Sequence, residues 1–136
     1  MKLYFAPLPE NNAATPLIPQ ILANNSEYFL EIAKALKELG YSEVNLNLGC
    51  PSGTVVSKKR GAGFLSVPDS LDTFLGEIFE KCPLKISLKT RIGMEDISEY
   101  AGLDAKELKS IRKASSFTAY TSTRRQFQTQ ARSDLR

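Results

Sequence analysis

Two hydrophobic periods take turns along the chain. Residues Glu43 to Leu48 alternate strictly, with Val44, Leu46 and Leu48 on one side and Asn45 and Asn47 on the other. That is the pattern of a strand with one apolar face. Leu84 to Ile92 repeats it, placing Ile86, Leu88 and Thr90 opposite Ser87, Lys89 and Arg91. Ahead of the first strand, Ser26 to Leu39 carries Tyr28, Phe29, Ile32, Ala33, Leu36 and Leu39 at helical spacing. Ser26 is placed to cap that helix and Gly40 to stop it. A second helix opens at Pro68 and Asp69, buries a stripe of Leu71, Phe74, Leu75, Ile78 and Phe79, and ends before Pro83.

Shorter signals fill the rest. Lys2 to Ala6 reads as a strand stopped by Pro7 and Pro9, and Asn11 to Thr15 as a polar connector. Pro16 to Leu22 is an apolar run of strand length around Gln20, whose amide is expected to cap a neighbouring backbone group. Thr54 to Arg60 fits either a short helix or an extended loop, and Gly61 and Gly63 permit close backbone approach. Strand, helix, strand is the βαβ pattern of an α/β domain. Parallel strands buried on both faces read as continuous apolar runs, whereas these keep one polar face, which suits a barrel better than an open sheet. In a β/α barrel the functional groups lie at the C-terminal strand ends, here Asn47, Cys50, Lys89 and Arg91. After Gly102 the periodicity fades. The predicted organisation is a β/α domain over residues 1–103 and a basic tail over 104–136, a helix followed by a poorly ordered stretch.

Composition narrows the chemistry. The 136 residues contain no histidine, so Ser-His, Cys-His and His-metal mechanisms are excluded for this chain acting alone, and no metal is expected. Cys50 and Cys82 lack metal spacing and are expected to be free thiols. Residues 1–103 hold ten Lys and Arg against twelve Asp and Glu, while residues 104–136 hold eight against three, so the basic excess lies in the tail. That tail is either solvated or a weak phosphate binder. No stretch has the length of a membrane span and Met1 to Ala6 is too short for a signal peptide, so a cytoplasmic location is expected.

Cys50, between a glycine and a proline at a strand end, is either a small buried hydrophobe or a thiol held still and exposed. Lys89, facing the polar side, requires a partner or an anionic ligand. Lys58, Lys59 and Arg60 form a basic run that is either solvated or in contact with phosphate.

Four segments together carry a resemblance: APLP at Ala6 to Pro9, PLIPQIL at Pro16 to Leu22, NLNLGCPSGTVVSKKRGAGFL from Asn45 to Leu65, and SLKTRIG from Ser87 to Gly93. They are similar to the tRNA-dihydrouridine synthase family, FMN-dependent β/α barrels that use flavin recharged by NADPH to reduce the uridine C5=C6 bond in tRNA. The resemblance implies that Pro7, Leu8 and Pro9 lie against the flavin, that Gln20 hydrogen-bonds its ring and that Lys89 sits at its N1/O2 side. It implies that Asn47 lines the uracil pocket, that Cys50 protonates uracil C5, and that Arg91 and the loop of Lys58, Lys59 and Arg60 lie near RNA.

Only Glu10 to Thr15 separates the first strand from the PLIPQ segment, Leu8 stands where the family usually has methionine, and the match fades after Gly93. A whole barrel of this kind takes roughly 250 residues. The expectation is therefore a partial (β/α)8 TIM barrel with about four parallel strands and flanking helices, internally deleted and C-terminally truncated. Two alternatives are a non-catalytic remnant or RNA-binding module, and another FMN barrel acting on a free pyrimidine, similar to dihydroorotate dehydrogenase.

Overall fold

A computed structural model describes residues 8–91, with the side chain of residue 91 left out, and the backbone of residues 117–121 and 129–133. The expected strand at Lys2 to Ala6, and with it Pro7, lies outside the described residues. The described chain begins with a 3-10 turn, Pro9–Asn12, and continues through strand β1 (Gln20–Ile21), helix α1 (Ser26–Glu38) and strand β2 (Glu43–Leu48). A short helix α2 (Gly53–Val56) and a 3-10 segment (Gly61–Ser66) follow, then helix α3 (Pro68–Lys81) and strand β3 (Lys85–Arg91). Strands β4 (Phe117–Thr121) and β5 (Thr129–Ser133) come last.

The five strands form one sheet in sequence order. The first three pair in parallel, β4 joins β3 in parallel and β5 joins β4 antiparallel. Two strands thus occupy the segment read from sequence as a tail. FTAYT and TQARS are too short for periodicity to announce them, and their pairing depends on the neighbouring ladder.

Both long helices cover one face. Val44, Leu46 and Leu48 of β2 lie beside Ile86, Leu88 and Thr90 of β3, and all six are buried. Phe29, Ala33 and Leu36 of α1 and Leu71, Phe74, Leu75 and Ile78 of α3 close over them in a single core. Burying one such Leu or Phe side chain contributes about 1.5–3 kcal/mol. Phe74 sits at the junction, edge-on to Phe29 at 5.9 Å and to Phe64 at 5.1 Å between ring centroids. Because β1, β2 and β3 follow one another without a reversal of order, two crossovers of the same hand put both helices on the same side. The other side keeps the polar residues.

The helix ends correct the sequence reading in one place. Asn25, not Ser26, caps α1: its side chain accepts the Tyr28 N–H at 3.0 Å. The Ser26 hydroxyl instead donates to Glu77 of α3. Tyr28 is exposed, since it points to solvent one position off the stripe formed by Phe29, Ala33 and Leu36. At the other end Gly40 adopts φ 96°, and the Gly40 and Tyr41 N–H groups return to the carbonyls of Lys37 and Leu36. This is a Schellman stop, which a residue with a Cβ would strain.

Candidate functional site

The polar face of the sheet is built in rows. Strand register sets Gln20 beside Asn45 and Asn45 beside Ser87; one step further, Asn47 lies beside Lys89. Alternation along β2 and β3 turns these side chains away from the helices. Both ends of the Gln20 amide bond within this face: its Nε2 donates to Asn45 Oδ1 at 2.7 Å, and its Oε1 accepts from Asn47 Nδ2 at 3.0 Å. Gln20 therefore binds side chains on the adjacent strand rather than the backbone group expected from the sequence, because the parallel register brings two amides within reach.

Asn47 controls the turn that follows. Its Oδ1 accepts the Gly49 N–H at 2.9 Å and the Cys50 N–H at 3.0 Å. A short polar side chain that folds back onto the backbone two and three residues on is a common turn-former. Gly49 is buried with Thr90 backbone atoms about it; a Cβ there would come within 3.2 Å of the Thr90 carbonyl carbon. From the other side the Ala62 N–H donates to the Cys50 carbonyl at 3.0 Å. Gly61 makes that approach with φ 53°, and a Cβ at this position would sit 2.8 Å from the Cys50 carbonyl oxygen. Cys50 is half-buried and is a free thiol, as is Cys82. The thiol is held on a turn fixed from both sides.

Thr54 to Arg60, open between helix and loop from the sequence, resolves into α2 and a tight return. Lys59 takes the left-handed conformation, φ 54°, at the apex of the basic run. Lys58 and Lys59 are exposed and Arg60 is half-buried. Asn24 fastens this run to the end of β1: its Nδ2 donates to the Lys58 carbonyl at 3.0 Å and its Oδ1 accepts from Arg60 Nε at 3.4 Å. Beyond it the 3-10 segment dives into the core through Phe64. A Cβ on Gly63 would lie 2.6 Å from the Val56 carbonyl oxygen, so the segment packs backbone to backbone against α2.

Of the residues picked out by sequence, the structure joins Gln20, Asn47 and Cys50 through hydrogen bonds and sets Lys89, half-buried, in register beside Asn47. Leu8 and Pro9 lie at the 3-10 turn, none of whose residues is buried. Arg91 ends β3, with its side chain outside the described residues. Sequence reasoning missed Asn24, Asn45 and Ser87. Asn45 was legible as a polar position on the same face as Asn47, but register alone reveals that it bridges two strands. Among the described residues no group of three or more His, Cys, Asp or Glu could hold a metal, and no helix is long and apolar enough to cross a membrane.

An α/β sheet, parallel from β1 to β4, with helices on one face among the described residues and Asn47 and a braced thiol at the C-terminal end of β2, defines the class of protein. The family model for dihydrouridine synthase (Dus) matches residues 2–134, so the chain belongs to that family. It is similar to the tRNA-dihydrouridine(20/20a) synthase of Vibrio parahaemolyticus serotype O3:K6, 34% identical over 90 residues, which are 66% of this chain and 28% of that protein. The corresponding protein of Vibrio vulnificus is 33% identical over 90 residues, with the same shares of each chain. A probable tRNA-dihydrouridine synthase of Staphylococcus epidermidis is 31% identical over 85 residues, 62% of this chain and 26% of its own length. The chain thus spans little more than a quarter of the curated relatives it matches.

Proposed function

We propose that this chain carries the thiol-bearing part of a tRNA-dihydrouridine synthase, an FMN- and NADPH-dependent reductase of uridine in tRNA. The observation that carries the reading is the Cys50 turn, clamped by Asn47 on one side and Ala62 on the other. Helix cover on one face among the described residues and unreversed strand order support reading β1, β2 and β3 as an arc of a (β/α)8 barrel, whose lumen would be the polar face.

The donor set on that face fits a flavin ring. Gln20 is exposed, its amide is fixed by two neighbours, and its Nε2 retains a second hydrogen and its Oε1 a second lone pair. Gln20 and Lys89 would hold FMN, with Pro7, Leu8 and Pro9 against it. When bound and reduced by NADPH, FMN supplies the hydride that saturates uracil C6. Cys50 supplies the proton at C5, its thiol becoming thiolate, and a turn that fixes the sulfur keeps that donor aimed without a histidine. Asn47 holds the turn and lines the uracil pocket. Lys58, Lys59, Arg60 and Arg91 meet tRNA phosphates at the rim, where a base swung out of its stack must be gripped through its backbone.

The test is mass spectrometry of nucleosides from unmodified tRNA incubated with the chain, FMN and NADPH. Uridine should gain two hydrogens, and Cys50→Ala should slow this about 100-fold or more. Product formation equal in the wild type and Cys50→Ala would overturn the assignment.

A further inference from the structure

The hydrogen bonds that link Gln20, Asn45, Asn47 and Ser87 run in a single direction. At one end the Gly49 and Cys50 N–H groups donate to Asn47 Oδ1. Asn47 Nδ2 donates to Gln20 Oε1, and Gln20 Nε2 donates to Asn45 Oδ1. Asn45 Nδ2 donates to Ser87 Oγ at 3.0 Å, and the Ser87 hydroxyl donates to the Val44 carbonyl at 3.4 Å. A backbone N–H can only donate and a backbone carbonyl can only accept, so the two ends leave each intervening amide one orientation. A flip of Asn47 or Gln20 would set donor against donor on one side and acceptor against acceptor on the other, and a flip of Asn45 would set its NH2 against that of Gln20. Ser87, almost fully buried at 2% exposed, joins the series to the Val44 carbonyl.

We infer that Asn45 and Ser87 are positioning residues, which through this polarised relay across three strands orient the Gln20 amide and hold the Cys50 turn. Neither touches Cys50. Their influence passes through Gln20 and Asn47, since the register places Gln20, Asn45 and Ser87 in one lateral row and Asn47 one step along β2. Hydrogen bonds aligned in series polarise one another, so loss at the Ser87 end weakens the bonds that follow. The consequence for proton delivery rests on reading Cys50 as the acid; the relay itself does not.

The experiment therefore reads the chain without tRNA or added FMN, by NMR of the side-chain NH2 groups and the Cys50 backbone N–H. Ser87→Ala removes the terminal hydroxyl, and the NH2 signals of Asn45, Gln20 and Asn47 should all move. The Cys50 amide should exchange faster by up to about 2-fold, the factor expected when a bond that stays made loses its cooperative share of about 10–30%. Gln20→Glu, at an exposed position, supplies a second reading if Ser87→Ala disturbs folding: it still accepts from Asn47 but cannot donate to Asn45. Its Asn47 NH2 signal should stay hydrogen-bonded, while Asn45 Oδ1 loses its donor and the Asn45 NH2 signal moves. Shifts confined to Asn45 in Ser87→Ala, or loss of the Asn47 NH2 hydrogen bond in Gln20→Glu, would overturn the relay. Either result can be obtained whether or not the chain reduces uridine.

Discussion

Replacing Asn47 should separate the turn from the rest of the site. Asn47→Ala deletes the acceptor shared by the Gly49 and Cys50 N–H groups and the donor to Gln20, three bonds of 2.9–3.0 Å. A net protein hydrogen bond contributes about 0.5–1.5 kcal/mol. Asn47 is half-buried, which places the loss toward the lower end, about 2 kcal/mol for the three together. Asn47→Asp keeps a charge-assisted acceptor for both backbone groups but sets a carboxylate oxygen against Gln20 Oε1, so it should cost less than alanine, about 1 kcal/mol. Urea unfolding followed by circular dichroism gives both values, and maleimide labelling of Cys50 in a Cys82→Ser background reports the turn directly. Alanine should speed labelling and aspartate should change it little. Equal destabilisation by Asn47→Ala and Asn47→Asp, or none by either, would refute the turn-forming role.

Three further expectations follow from the packing. Gly61→Ala, with φ 53° and a Cβ 2.8 Å from the Cys50 carbonyl oxygen, should cost about 2 kcal/mol or more in urea unfolding. Gly40→Ala, with φ 96° and open space around it, should cost only about 1 kcal/mol. Phe74→Ala, at the meeting point of Phe29 and Phe64, should cost about 3–5 kcal/mol by the same assay. Burial pushes the Cys82 thiol pKa up, partly offset by a hydrogen bond from the Leu84 backbone. In the folded state Cys82 therefore stays protonated to higher pH than an ordinary thiol. Its contribution to stability is fully present below the ordinary thiol range and is lost as pH rises through the raised folded value. Labelling of Cys82 in a Cys50→Ser background should accordingly need a higher pH than labelling of the unfolded chain, and identical profiles would contradict the shift.

The alternation of EVNLNL and KISLKTR was enough to assign each residue of β2 and its neighbours on β3 to a face, because period two has only two outcomes. The helix stripes were legible for the same reason, except at Tyr28, where an aromatic residue at the edge of the stripe faces water. The cap of α1 was displaced by one residue, since Asn25 and Ser26 are both good caps and only the backbone decides between them. What periodicity could not supply was register. The partners of Gln20, the bridging role of Asn45 and the hold of Asn24 on the Lys58–Arg60 loop depend on which residues stand opposite one another across strands and loops. The closeness of Gly61 and Gly63 to Cys50 and Val56 likewise appears only in three dimensions, although two glycines after a basic run were a sign of it.

The most direct measurement of the central claim, that the polar face of β1, β2 and β3 is the flavin side of the site, is an FMN titration followed by flavin fluorescence. The wild-type chain should quench FMN saturably. Gln20→Ala should weaken binding about tenfold, the equivalent of one ligand hydrogen bond of roughly 1.4 kcal/mol. Lys34→Ala, exposed on α1 over the opposite face, should leave binding unchanged. Absence of saturable quenching, or equal weakening by Gln20→Ala and Lys34→Ala, would contradict the account.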